Sequence, residues 1–179
     1  WESGHPIPHG RISQILRSSD GAIWTEGAAG VHRSTDSGLT WSKMAVPNDL
    51  QLGTIKLGEH KGRIAFAGRE LVVTADGGAT WTTVLAEKTS TTDGEWVARQ
   101  SDDSALRIGK ILNNTVEWVA EVAGHWHPAA IYGNADGVQI FANKALSTQG
   151  YLIRASTDGK SVSTQRIETR AEWIGLGDS

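Results

Sequence analysis

Two histidines one residue apart, in His125-Trp126-His127, have a type and spacing suited to metal chemistry. On an extended strand, residues two apart face the same way, so both imidazoles could reach one ion. No third ligand lies near them in sequence, although His5 and His9 form a similar pair before the first repeat. The plainer reading is a polar segment leading into an inner strand, with Pro128 stopping the ladder because proline lacks the N–H donor. No metal and no cofactor is expected. Carboxylates are the second candidates, because glycoside hydrolysis uses them in pairs. Asp102 and Asp103 are adjacent, so on a strand they point to opposite faces. Asp20, Asp103 and Asp136 share the tight-turn position of their repeats, which is turn chemistry and not a dedicated acid–base pair.

The elements that must position these residues are announced by a repeated string. Ser34-Thr35-Asp36-Ser37-Gly38-Leu39-Thr40-Trp41 recurs 40 residues later as Thr74-Ala75-Asp76-Gly77-Gly78-Ala79-Thr80-Trp81. A fixed period near 40 with a turn signature in each copy means a repeat architecture. Each copy follows an apolar or alternating run, and a new run begins at its Trp, so each joins two antiparallel strands. The Asp accepts bonds from backbone N–H groups just ahead of it, the Gly takes positive φ without a Cβ clash, and the hydroxyls add local bonds. The Trp is a large apolar plug whose indole N–H needs a partner. An Asp that recurs in every repeat is a structural device rather than a catalyst.

These strings resemble the Asp-box, or BNR repeat, of sialidases and related β-propellers. In that family the box joins the third and fourth strands of a blade, away from the active site. The resemblance rests on Ser34, Asp36, Gly38 and Trp41, and on Thr74, Asp76, Gly78 and Trp81. Two further positions read as decayed boxes. Asn113 to Trp118 keeps the Asp-to-Trp spacing with Asn113 in the Asp place, and Ser156-Thr157-Asp158 keeps the turn with Ser163 where the Trp would fall. Midpoint turns recur at Asp20-Gly21, Lys61-Gly62, Asp103-Ser104 and Asp136-Gly137, each followed by a strand.

The expected fold is therefore all-β: an antiparallel β-propeller with four-stranded blades, in one domain over residues 1–179. Its four repeats run roughly 11–50, 51–90, 91–128 and 129–168. Trp1 stands where a box Trp would stand, and Glu172-Trp173-Ile174 echoes Glu95-Trp96-Val97, the opening strand of the third repeat. The expectation is an arc of a larger propeller, completed by further propeller sequence or by a second chain.

Composition narrows the partners. A net charge of −3 from interspersed signs offers no basic stripe for phosphate, so nucleic acid is not an expected partner. No run approaches 18 apolar residues, so no membrane span is expected. The absence of cysteine excludes disulfides and cysteine-bound metal. An extracytoplasmic setting, secreted or periplasmic, is the expected one.

In sialidases three arginines grip the substrate carboxylate, which suits the planar guanidinium fork. Arg11, Arg17, Arg99 and Arg170 fall on or near the expected inner strands, and with His125 and His127 they are the candidate binding residues. The plainer reading makes these arginines channel lining or blade-to-blade ion pairs. The F/Y-R-I-P string of sialidases is absent, since Pro8-His9-Gly10-Arg11-Ile12 departs from it. Tyr132 and Tyr151 are the only tyrosines, and neither has a clear Glu partner, so no catalytic residue is carried over. The start Gly10-Arg11-Ile12-Ser13-Gln14-Ile15 and the passage from Gly27 to Trp41 also look similar to the photosystem II assembly-factor-like branch. The expected function is a non-enzymatic recognition scaffold that binds a protein or glycan through loops of one face or the channel mouth. The alternative is part of an exo-acting glycoside hydrolase.

Overall fold

The computed structural model describes residues 11–47, 56–145, 147 and 149–167. Within them the chain forms sixteen strands in four antiparallel four-stranded sheets and no helix. The first sheet is β1 (Ile12–Arg17), β2 (Ile23–Gly27), β3 (Gly30–Ser34) and β4 (Ser42–Lys43). The second is β5 (Lys56–His60), β6 (Arg63–Ala67), β7 (Leu71–Thr74) and β8 (Thr82–Leu85). The third is β9 (Thr91–Thr92), β10 (Trp96–Gln100), β11 (Ala105–Leu112) and β12 (Thr115–Ala123). The fourth is β13 (Trp126–Asn134), β14 (Gly137–Lys144), β15 (Gly150–Ser156) and β16 (Val162–Ile167). Each sheet pairs its strands in chain order. This is the expected propeller architecture, and each sheet is a blade.

The core lies between blades. Along β6, Ile64 and Phe66 pack toward the first blade with Trp24, Val31 and Leu57. Their alternating neighbours Ala65 and Ala67 pack toward the third with Val97 and Ile111. Period-two alternation on a strand covered on both faces produces this division. A third layer joins the third and fourth blades through Trp96, Leu106, Ile108, Ile131 and Ile140. The first strands meet at the centre, where the Gln14 side-chain amide clasps the β5 backbone: Nε2 donates to Leu57 O at 3.1 Å and Leu57 N donates to Oε1 at 2.8 Å.

The two full strings have the same internal bonding. Ser34 Oγ donates to Asp36 Oδ1 at 2.8 Å, and Thr40 donates to the same carboxylate through its N–H at 2.8 Å and its hydroxyl at 2.5 Å. Thr74, Asp76 and Thr80 repeat these bonds at 2.8, 2.9 and 2.6 Å. Gly38 and Gly78 both take φ of +92°. Ser156 likewise donates to Asp158 at 2.7 Å. The tryptophans are half-buried, not sealed plugs. Trp41 Nε1 donates to Gly38 O at 3.1 Å, whereas Trp81 stands edge-on to Phe66 at 5.0 Å.

The third blade departs from expectation. Glu95-Trp96-Val97 does not open it: the short strand β9 comes first, and Trp96 begins the second strand. Asn113 and Asn114 form a two-residue hairpin between β11 and β12 with φ of 45° and 65°. Trp118 therefore lies within β12 rather than at the end of an eight-residue turn. Asn–Asn reaches positive φ readily and so closes a tight hairpin. In the fourth blade, Pro128 does not stop the ladder. β13 begins at Trp126 and carries a register shift between Pro128 and Ala130 that accommodates it. Trp1, His5, His9, Arg170 and Glu172-Trp173-Ile174 lie outside the described residues.

Candidate functional site

Because each blade meanders, its connections alternate between the two faces of the propeller. The strings at 35–40 and 75–80, with the turn at 157–160, share one face, the string face. The connections at 68–70, 86–90 and 124–125 lie on the other, the linker face. The third blade keeps this order, with β9 as its first strand. The turn at 101–104 is built like the one at 18–21 but joins the second and third strands of its blade, so it lies on the linker face. Its chemistry is unchanged: Ser18 Oγ donates to Asp20 and to Ala22 O at 3.0 Å, and Ser101 Oγ donates to Asp103 and to Ala105 O at 2.8 Å.

The turn at 101–104 walls a cavity of about 840 Å³ on the linker face, between the second, third and fourth blades. Arg69 enters from the β6–β7 turn, Lys88, Thr89 and Ser90 from the β8–β9 connection, and Gln100, Ser101 and Asp102 from the β10–β11 turn. His125 comes from the β12–β13 connection, and Trp126 and His127 from the start of β13. The floor is tied together by backbone and amide groups. Thr89 N donates to Gly68 O at 2.7 Å. Gln100 Oε1 accepts from Trp126 N at 2.8 Å, and its Nε2 donates to Gly124 O at 3.4 Å. His125 Nε2 shares a hydrogen bond of 2.7 Å with Ser104 Oγ. Trp126 is 5% exposed, its indole donating to Ala123 O at 3.1 Å, so it supports the floor and offers no open ring face.

A smaller central cavity of about 320 Å³ lies where the inner strands meet, lined by Gln14, Lys56, Glu59, Asp93 and Tyr132 among others. Asp93 accepts from Glu95 N at 3.0 Å, from Trp96 N at 2.7 Å and, across the blade boundary, from Gly133 N at 2.5 Å. Burial pushes its carboxyl above the ordinary range, against the lowering effect of those three donors.

Of the candidate arginines, Arg11 precedes β1 and Arg17 ends it, and both are exposed. Arg99 pairs with Glu87, joining β10 to the connection after β8, which is the ion-pair reading. His125 and His127 do line the large cavity, but among the described residues no group of three or more His, Cys, Asp or Glu could hold a metal ion. Arg69, Lys88 and Gln100 were not legible as site residues. They come from three separate connections, and only the folded blades bring them together.

No family model matches the sequence, and no curated protein does. Among solved structures, the chain is similar to the GH74 xyloglucanase from Xanthomonas campestris, with a TM-score of 0.57 and 16% identity over 81% of this chain. It is also similar to the GH74 enzyme of Niastella koreensis, with a TM-score of 0.46 and 15% identity over 88% of this chain. A chain of the mitotic checkpoint complex matches with a TM-score of 0.49 and 10% identity over 90% of this chain and 67% of that one. The xyloglucanase likeness is one of fold, and with the four sheets it defines a β-propeller. The chain spans 28% and 29% of the length of the two GH74 enzymes.

Proposed function

We propose that this propeller is a recognition scaffold that binds a glycan, in preference to a protein, in the linker-face cavity. The observation that carries the reading is the 840 Å³ hollow itself. Its size falls in the range of small-ligand sites, and it opens away from the face that holds the strings. Its lining mixes apolar surface from Trp126 and Pro128 with the polar side chains of Thr89, Ser90, Asp102 and His127 and the cations Arg69 and Lys88, which suits the amphipathic faces of a sugar ring. None of the large exposed hydrophobic side chains, such as Ile15, Leu39 or Tyr132, lies in it, so it lacks the apolar anchor of a protein hot spot. On this reading the strings are structural Asp-boxes of an extracytoplasmic propeller.

A glycan array followed by calorimetry on the hits tests the reading. His127→Ala should weaken binding without changing the melting temperature. Trp81→Ala should lower stability by about 2 kcal/mol, below the cost of about 3–5 kcal/mol for a fully buried Trp, and leave affinity unchanged. Binding that disappears in the folded Trp81 variant and survives the cavity variant would sink the reading.

One observation favours the alternative, a part of a glycoside hydrolase. Asp93, raised by burial, shares the central cavity with Glu59, and glycosidases pair a raised carboxylic acid with an ionised one. The three backbone donors on Asp93 instead fit a tether between blades. Hydrolysis of a polysaccharide or aryl glycoside that is abolished by Asp93→Asn in a folded protein would establish the alternative.

A further inference from the structure

We infer that the saccharide held in the linker-face cavity carries carboxylates, as a uronic-acid chain does; this rests on the glycan reading above. The chain as a whole is acidic, at −3 with histidine neutral, yet this hollow holds two cations, Arg69 and Lys88, against the single carboxylate Asp102. His125 and His127 face it as well. The arginines packed along the blades are already committed. Arg33 pairs with Asp20, Arg99 with Glu87, and Arg107 with both Asp103 and Glu121, while Arg63 donates to Gly94 O. The Arg69, Lys88 and His127 side chains have no hydrogen-bond or ion-pair partner among the described residues. Glu87, the acid next to Lys88 in sequence, is taken by Arg99. Two such cations, Arg69 and Lys88, in a concave site supply charge-assisted donors to a carboxylate and concentrate anions at the mouth.

The test is calorimetric titration of the whole chain with four probes at low and physiological salt. The probes are a galacturonic-acid oligomer, the same oligomer as its methyl ester, a neutral glucose oligomer of equal length, and a glutamate peptide of equal length. The free acid should bind about tenfold or more tighter than its ester and weaken as salt rises. Arg69→Ala with Lys88→Ala should remove that preference and leave the circular dichroism and melting temperature unchanged. Equal binding of acid and ester, or of acid and neutral oligomer, would overturn the carboxylate assignment and leave the glycan reading standing. Tighter binding of the glutamate peptide would overturn both, in favour of an acidic protein partner. Binding of no probe, or binding untouched by the double substitution, would remove the cavity as the site.

Discussion

At the residue scale the strings explain themselves through their carboxylates. The Thr40 hydroxyl and N–H, with the Ser34 hydroxyl, bring the Asp36 carboxyl down from 3.8 to about 2. The equivalent Thr80 and Thr74 groups hold Asp76 well below the usual carboxylate range. A folded-state pKa below the unfolded one stabilises above the unfolded value and is lost as pH falls through the folded one. The turns should therefore keep their contribution at neutral pH and lose it between pH ~4 and ~2. Carboxyl-detected NMR titration of Asp36, compared with Asp36→Asn, checks this. A midpoint at or above the ordinary Asp value would contradict the bonding described. These turns were legible in the sequence because every partner lies within four positions of the Asp. The residues of the cavity were not. Arg11 precedes β1 and Arg17 ends it, while Arg69 and His127 are distant in sequence and line one hollow.

At the element scale the blades were legible from the strings and the midpoint turns, except in the third. A two-residue strand such as β9 leaves no hydrophobic period to read, and Asn113 to Trp118 carries the right spacing with the wrong geometry. What β9 adds is a close approach between blades. A Cβ on Gly133 would stand 2.2 Å from Trp96 Cδ1, and one on Gly58 would stand 2.3 Å from the backbone of Asp93. Trp96 is fully buried and cannot yield. Gly133→Ala should thus destabilise by about 1–3 kcal/mol through overpacking. Gly62→Ala, at φ +81° with nothing within 4 Å of its Cβ, should cost about 1 kcal/mol from backbone strain alone. Chemical denaturation of the two variants checks the order, and an equal or reversed cost would show that the blades do not meet there.

At the scale of the whole molecule, the self-bonded strings and the large cavity occupy different faces. Three inter-blade cores hold the sheets, and the self-bonded strings close the string face. In the third blade the serine–aspartate turn at 101–104 joins the second and third strands and so lines the hollow among three blades. The period of 40 residues predicted the propeller, but no period could predict which face would be concave, because that depends on side chains from three separate connections. The central claim is that ligand meets the linker face. Its most direct test is backbone amide NMR during titration with acidic and neutral oligosaccharides. The account predicts shifts that cluster at Arg69, Lys88, Gln100, His125 and His127, with Asp36, Thr40, Asp76 and Thr80 unmoved. Shifts centred on the strings, with the linker-face residues silent, would contradict it.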